Sequence, residues 1–144
     1  MIQVWFDGCC KGNPHGKGGI GVVIKRCGEI IHTVSQYIGE GVNMSSNAAE
    51  YEALRTALIY LKDQGLTDET IEIRGDSSLV INQMSGRWRI KKGIYRDTAL
   101  KTKDFLKCFT RLSLYWISRD KNTRADELTN LGIKRYQKSM NRSR

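Results

Sequence analysis

The first third of the chain alternates apolar and polar side chains with a period of two, which is typical of β-strands and not of helices. The pattern predicts strands over residues 2–7, 20–25 and 30–38. Between them we expect a glycine-rich loop over residues 8–19 and a hairpin turn over residues 27–29. Three strands connected in this way favour an antiparallel meander.

After the meander, helical periodicity alternates with two further strands. A helix over residues 48–62 has N-cap candidates in Ser45, Ser46 and Asn47. The remaining predicted elements are a strand at 70–75, a short helix at 77–84, a helix at 95–109, a strand at 112–117 and a last helix at 122–137, capped by Asn122 or Thr123. This order predicts an α/β fold with a mixed sheet, in which a parallel part joins an antiparallel edge.

Length and composition indicate a single domain. The chain has 144 residues, of which 40% are hydrophobic, enough for one core. We assign residues 1–138 to this domain and residues 139–144 to a basic, frayed C-terminal tail. The N-terminus lacks the features of a signal peptide, and no apolar run approaches the ~18 residues that span a bilayer. We therefore expect a soluble cytoplasmic protein with no membrane partner.

The cysteines indicate neither a metal site nor a disulfide framework. Cys9 and Cys10 are adjacent, and with Cys27 and Cys108 they form no zinc-ligand spacing. In a reducing compartment we expect four free thiols.

The net charge of +9 is concentrated in the second part of the chain. Residues 1–86 contain 7 Lys and Arg against 10 Asp and Glu, whereas residues 87–144 contain 17 against 5. Such an asymmetry favours one surface that attracts a polyanion such as nucleic acid. A solvated basic face without a partner is the alternative that charge alone leaves open.

Four carboxylates occupy positions that structure alone explains poorly. Glu50 lies one helical turn before Leu54 and therefore on the apolar stripe of its helix. Asp7 and Asp76 each end a predicted strand, where the sites of α/β sheets gather. Asp126 lies in the first turn of the last helix. Each has an ordinary alternative: a favourable helix-dipole position for Glu50 and Asp126, a turn residue for Asp7, and an N-cap for Asp76.

Taken together, the four carboxylates match the requirements of a metal-dependent phosphodiesterase. Two divalent ions roughly 3.5–4 Å apart can activate a water molecule and stabilise the leaving oxygen. Mg²⁺ takes oxygen ligands, so a few converging carboxylates suffice. The only histidines are His15 and His32, so the sequence gives little support to a histidine-based zinc site or a Ser-His-Asp arrangement.

Four short segments, in order along the chain, resemble those of type 1 ribonuclease H, particularly its short bacterial and archaeal forms. These segments are Phe6-Asp7-Gly8 with Lys11-Gly12-Asn13-Pro14, Ser46-Asn47-Ala48-Ala49-Glu50-Tyr51, Gly75-Asp76-Ser77-Ser78-Leu79-Val80 and Asn122-Thr123-Arg124-Ala125-Asp126. The resemblance implies a ribonuclease H-like fold, with a five-stranded mixed sheet whose first three strands are antiparallel and whose remainder is parallel, flanked by helices. It also implies an endoribonuclease that hydrolyses the RNA strand of RNA–DNA hybrids.

The resemblance further implies a site for two Mg²⁺ or Mn²⁺ ions. In it Asp7 bridges both ions, Glu50 and Asp76 complete the ion near the leaving group, and Asp126 holds the ion that activates water. In-line attack would leave a 5′-phosphate and a 3′-hydroxyl. Some short forms also cut double-stranded RNA, so this substrate stays open beside the hybrid, and we expect a monomer.

Contacts with the hybrid follow from the same resemblance. Cys10, Asn13 and Asn47 match positions that contact the minor groove, where the RNA strand exposes its 2′-hydroxyls. Ser45 matches a position that holds a phosphate of the DNA strand. The ordinary alternatives are a turn for Asn13 and an N-cap for Ser45.

The sequence departs from the best-studied bacterial pattern in two segments. The loop before Asp126 lacks the usual histidine, and we hypothesise that Arg119 takes an auxiliary, electrostatic role there. The long basic protrusion of some relatives is reduced to a short segment that begins Arg87-Trp88-Arg89. Its cations suit a phosphate backbone and Trp88 can stack on a base or sugar, unless Trp88 is buried in a local cluster.

Three other interpretations compete with this one. The first is an inactive member of the fold that only binds nucleic acid, which the four filled acidic positions disfavour. The second is a nuclease of other specificity on the same architecture, such as a resolvase, transposase-like nuclease or exonuclease. The third is a ribonuclease H module detached from a reverse transcriptase, although the chain begins at Met1 and we expect it to be complete.

Overall fold

The computed structural model describes residues 1–142, which form five strands, four α-helices and one turn of 3₁₀ helix. The elements are β1 Ile2–Lys11, β2 Lys17–Arg26, β3 Glu29–Glu40, α1 Ser46–Asp63, β4 Thr70–Gly75, α2 Ser78–Met84, α3 Arg96–Leu106, β5 Arg111–Trp116, the 3₁₀ turn Arg119–Lys121 and α4 Thr123–Arg142.

The strands form one mixed sheet in the order β3-β2-β1-β4-β5. β1, β2 and β3 pair antiparallel, whereas β4 lies parallel to both β1 and β5. This confirms the predicted α/β class and the division into an antiparallel and a parallel part. Because β1 lies between the two parts, its residues 2–6 pair with β2 on one side and with β4 on the other, whereas residues 7–11 pair with β2 alone.

A helix covers each face of the sheet. The apolar residues Ile2, Val4 and Phe6 of β1 face α1, whose buried stripe includes Leu54 and Leu58. On the opposite face, α4 packs against β2 and β3. The main core therefore lies between the sheet and α1, with α2 and α3 at its border.

β1 and β2 are longer than predicted, because part of the expected glycine-rich loop is strand. Cys10 pairs with Gly18 and Cys9 with Gly19, so only residues 12–16 connect the two strands. The glycines allow close helix packing here: a Cβ on Gly19 would overlap the Thr129 carbonyl oxygen of α4. Glycine in these strands thus reflects close backbone approach and not a turn.

The helix boundaries refine the sequence predictions. Ser45 caps α1 by accepting the Ala48 N–H, and Ser77 caps α2, which leaves Asp76 outside the helix. α4 continues to Arg142, beyond the boundary predicted at residue 138, so most of the expected frayed tail is helical. Residues 143–144 of that tail lie outside the described residues, and the domain boundary itself stays a prediction.

The structure also describes the hairpin turn, the cysteines and the apolar character of the helices. The turn between β2 and β3 places Cys27 and Gly28 at positive φ, as a tight hairpin requires. All four cysteines are free thiols, as predicted. Among residues 1–142, no helix has the length and apolar character needed to cross a membrane.

Candidate active site

The side chains of Asp7, Glu50 and Asp76 converge at one edge of the sheet. Each offers a carboxylate oxygen that lies within 4.8 Å of the oxygens of the other two. Asp7 lies in β1 and Asp76 follows the end of β4, and these strands run parallel with Phe6 paired to Gly75. The two aspartates are therefore brought together by strand register. Asp76 follows the end of its strand as predicted, but the prediction that Asp7 ends a strand is wrong, because β1 continues to Lys11 in its pairing with β2.

Glu50 reaches the same point from α1 because the helix lies very close to β1. A Cβ on Gly8 would overlap the backbone of Ala49, so glycine at this position permits the approach. The Gly8 N–H donates to Glu50 Oε1 at 2.6 Å. Glu50 is buried, and its second oxygen, Oε2, has no hydrogen-bond partner among residues 1–142. The predicted position of Glu50 on the core-facing stripe is thus confirmed.

Asp76 is held by a residue whose part in the site the sequence did not reveal. The side-chain amide of buried Asn122 donates to Asp76 Oδ2 at 3.2 Å and to the Phe6 carbonyl oxygen at 2.9 Å. Trp116 Nε1 donates to the Asp76 carbonyl oxygen at 3.1 Å. Asn122 was predicted only as a cap of α4. Its side chain instead joins β1, Asp76 and the start of α4, and its Oδ1 has no hydrogen-bond partner in the part of the chain that the structure describes.

Asp126 and Arg119 line the same cleft as the three clustered carboxylates. Asp126 lies in the first turn of α4, where Asn130 Nδ2 donates to its carbonyl oxygen at 2.9 Å. Within residues 1–142, the group whose oxygens approach within 4.8 Å contains Asp7, Glu50 and Asp76 but not Asp126. The cleft therefore contains a tight group of three carboxylates and a fourth carboxylate, Asp126, outside that group.

The electrostatics of the cleft favour a bound cation. Burial, reinforced by Asp76 and Asp126, raises the pKa of Asp7 from 3.8 to about 7. Burial and the neighbouring Asp7 also raise the pKa of Glu50 well above its ordinary value. Both shifts record the cost of bringing negative charges together out of water, and a cation among the oxygens would remove that cost.

Known proteins with similar sequences identify the family. A family model described as "Reverse transcriptase-like" matches residues 5–132. The ribonuclease H of Ralstonia nicotianae is 30% identical over 141 residues, which cover 92% of this chain and 91% of the relative. The chain belongs to the type 1 ribonuclease H family.

Two further relatives agree with this assignment. The ribonuclease HI of Halobacterium salinarum is 36% identical over 130 residues, covering 90% of this chain but only 62% of the length of that relative. The crystal structure of LC11-RNase H1 in complex with an RNA/DNA hybrid is 38% identical, with a TM-score of 0.86 and coverage of 95% of this chain and 99% of that one. The predicted ribonuclease H-like fold is therefore confirmed.

In this ribonuclease H family member, most of the residues predicted to contact a substrate surround the cleft and the start of α1. Cys10 lines the cleft and packs on Met44. Asn13 Oδ1 accepts the Ser46 N–H at 2.9 Å, which ties the β1–β2 connection to α1. Ser45 is the N-cap of α1, and Asn47 is exposed beside it.

The predicted basic contacts lie apart from the cleft. Arg87, Trp88 and Arg89 follow α2 and are exposed, and the side chains that line the cleft include none of them. Trp88 is 48% exposed, which contradicts the alternative that it is buried in a local cluster. It lies beside Leu79 and Gln83 in a shallow pocket that the basic side chains border.

Proposed function

We propose that the chain is an endoribonuclease that hydrolyses the RNA strand of RNA–DNA hybrids and leaves 5′-phosphate and 3′-hydroxyl ends. One observation is central to the proposal: Asp7, Glu50 and Asp76 converge within 4.8 Å, in a cleft that Asp126 and Arg119 also line. Membership of the ribonuclease H family and the hybrid bound to LC11-RNase H1 support the choice of substrate.

The cleft fits divalent metal ions of the hard, oxygen-binding kind. Its donor set consists of carboxylates, and the buried Glu50 Oε2 has no partner among the described residues. When bound, two Mg²⁺ or Mn²⁺ ions would supply a nucleophilic water at neutral pH and charge stabilisation for the transferring phosphoryl group. Asp7, Glu50 and Asp76 would hold one ion, and Asp7 together with Asp126 would hold the other.

The protein residues around the cleft would orient the hybrid. Ser45 Oγ accepts the Ala48 N–H at 3.1 Å, so its own O–H remains able to donate to a phosphate of the DNA strand. Asn13 uses Oδ1 towards Ser46, which leaves its NH₂ group available to the minor groove together with Asn47 and Cys10. Asn122 holds Asp76 in the orientation that ligation requires.

Two further elements would act through charge. Arg119 lies at the rim of the cleft and would favour the developing negative charge electrostatically, since guanidinium cannot serve as a base. Arg87, Trp88 and Arg89 would contact the nucleic-acid backbone away from the reacting phosphate. Because this segment is short, we expect weak hybrid binding, and because its contacts with phosphates are ionic, binding should weaken further as the salt concentration rises.

Cleavage of a labelled RNA–DNA hybrid tests the proposal directly. We expect the RNA strand to be cut with Mg²⁺ or Mn²⁺, and not with EDTA or by the Asp7→Asn and Asp76→Asn variants. The matched control is Asp104→Asn, which removes an exposed carboxylate from α3 and should cleave like the wild type. Hybrid binding without any cleavage by the wild type would refute the proposed activity, and parallel assays on double-stranded RNA would define the substrate range.

A further inference from the structure

A buried hydrogen-bond network joins α1, α2 and the start of α3. Gln83 is 1% exposed, and its side chain is bonded at both ends. Tyr51 O–H donates to Gln83 Oε1 at 2.6 Å, and Gln83 Nε2 donates to Tyr95 Oη at 3.1 Å. The rings of Tyr51 and Tyr95 stack with their centroids 5.8 Å apart. The three side chains therefore form one fixed unit beneath the surface.

The same unit holds the backbone of the basic segment, which we define as residues 87–92. Gln83 Nε2 also donates to the Arg89 carbonyl oxygen at 3.0 Å, and the Lys91 N–H donates to Tyr95 Oη at 3.2 Å. The segment contains no helix or strand of its own. Together with bonds from the Arg87 and Trp88 N–H groups to the Asn82 carbonyl oxygen, the network fixes its course.

The cations of the basic segment keep their charge in this arrangement, and Arg87 Nε donates only to the neutral Asn82 Oδ1, at 2.8 Å. None of Arg87, Arg89, Lys91 and Lys92 forms an ion pair with a carboxylate within residues 1–142. The bonds to Arg89 and Lys91 engage backbone atoms only. The network thus orients the segment without neutralising it, which is what a contact to phosphates requires.

Packing alone does not account for a glutamine at this position. A buried amide must be desolvated, and an aliphatic side chain of similar volume would fill the space without that cost. A fully bonded polar side chain instead selects one backbone conformation for the segment it contacts. Gln83 therefore specifies where the basic segment lies.

The network also relates the basic segment to the carboxylates. Tyr51 directly follows Glu50 in α1, and α2 begins two residues after Asp76. The seven residues of α2 span ~10 Å along the helix axis. This length equals about three nucleotide steps along one strand of a nucleic-acid duplex. The segment is thus held at a set distance from the acidic cleft.

We propose that Gln83, together with Tyr95, is a positioning residue that holds the basic segment against the phosphate backbone of the hybrid. This inference builds on the proposed function, because it assigns the basic segment to the same substrate. Gln83 touches no reacting atom in this arrangement and acts only through the backbone of residues 89 and 91.

The test is Gln83→Leu, which keeps the volume and removes both bonding ends. We expect the Kd for a hybrid, measured in the Asp7→Asn background so that the substrate is not cut, to rise about tenfold. In the active background KM should rise similarly while kcat stays within about twofold, since only binding is affected. Amide hydrogen exchange should accelerate at residues 87–92. The control is Thr102→Val, which removes another buried hydrogen bond, to the Thr98 carbonyl oxygen, and should leave Kd unchanged.

A second background separates positioning from general destabilisation. With Arg87, Arg89 and Lys91 replaced by alanine, adding Gln83→Leu should leave Kd within about twofold, because the cations that it positions are absent. The proposal would be overturned by any of three results. These are a further rise of Kd by about tenfold in the background that lacks the cations, an unchanged Kd in the Gln83→Leu single variant, or a fall in kcat at constant KM. Failure of the wild type to cleave a hybrid that it binds would refute the proposed activity, while the Kd comparison would still decide the role of Gln83.

Discussion

We propose that the acidic cleft and the basic segment bind the same substrate, yet the two regions differ in how their charges are placed and supported. In the cleft, Asp7 and Glu50 are buried and no cation neutralises them within residues 1–142. In the basic segment, Arg87 and Arg89 are exposed, and the buried groups beneath them are neutral. Burial of the negative charges in the cleft therefore costs free energy, whereas the exposed positive charges of the basic segment carry no such desolvation cost.

The difference shows how each region obtains its geometry. Buried carboxylates that repel one another are held by large elements: β1, the end of β4, and α1 at its closest approach to the sheet. Exposed cations need no such constraint to be stable, and the backbone that carries them is fixed by two hydrogen bonds, one that Gln83 donates and one that Tyr95 accepts. We therefore expect changes in the cleft to alter activity and stability in opposite directions, and changes in the basic segment to alter binding alone.

The largest expected effect comes from Glu50→Gln. The variant keeps an oxygen for the Gly8 N–H but loses the buried charge, so activity should fall by about 10³-fold. Because the raised pKa of Glu50 marks a charge that burial disfavours, metal-free Glu50→Gln should unfold at a higher temperature than the wild type near pH 8. Cleavage assays and thermal unfolding in EDTA measure the two effects. A variant that loses both activity and stability would break the contrast between the two regions.

A smaller effect is expected on the pH dependence of stability. The pKa of Asp7 is about 7 in the folded protein and 3.8 ordinarily, so the folded state binds the proton more tightly. Stability present at low pH is therefore lost as the pH rises through about 7, by roughly 1–3 kcal/mol without metal. Thermal unfolding in EDTA from about pH 5 to about pH 8 should show this loss, and Asp7→Asn should reduce it. Mg²⁺ should restore the stability of the wild type at the upper end, whereas equal slopes in wild type and Asp7→Asn would contradict the assignment.

Next in size is the effect of removing exposed cations. Arg87→Ala with Arg89→Ala should raise the Kd for the hybrid about tenfold and reduce the dependence of log Kd on log salt by about two ion equivalents. The melting temperature should stay near that of the wild type, because neither arginine is buried. Titrations at several salt concentrations provide the measurement. Arg142→Ala, an exposed cation at the end of α4, is the matched control. An unchanged salt dependence in the double variant would separate the basic segment from the substrate.

The smallest expected effect concerns Arg119. It lies at the cleft rim but is exposed, so water screens its charge and Arg119→Ala should lower kcat only about threefold to tenfold. Arg119→Lys should recover part of that loss, since it restores the charge without the guanidinium geometry. Single-turnover cleavage rates measure both variants. If Arg119→Ala retained full turnover, its auxiliary role would be disproved.

Much of the fold and of the acidic site was predictable because the relevant signals are local. The alternation of β1 and the stripe of α1 each repeat within a few residues, and they place Asp7 at a strand and Glu50 on a buried helix face. The strand over residues 70–75 was predicted with its observed bounds. The prediction of a glycine-rich loop was wrong in part. Local sequence preference cannot distinguish a glycine in a turn from one, such as Gly19, that lies in a strand and lets a helix pack closely on it.

The part of Asn122 in the site depended on contacts between distant residues. Its side-chain amide bonds the Phe6 carbonyl oxygen, 116 positions away in the chain, so no pattern near residue 122 could indicate the partner. The network around Gln83 is similar, since it joins residues from α1, α2 and the start of α3. For both side chains, the sequence indicated only a position in a helix or at its start, and their contacts were evident only in the structure.

By itself, the sequence determined the class of fold and the order of its elements, and it singled out the carboxylates that we propose as metal ligands. These properties follow from short-range periodicity and from the residue types that metal chemistry requires. Only the tertiary structure decided that Glu50 lies against Gly8, that Asn122 bonds Asp76 and that Gln83 holds the basic segment. Such contacts depend on strand register and on how closely α1 and α4 approach the sheet, and both are set by packing over the whole molecule.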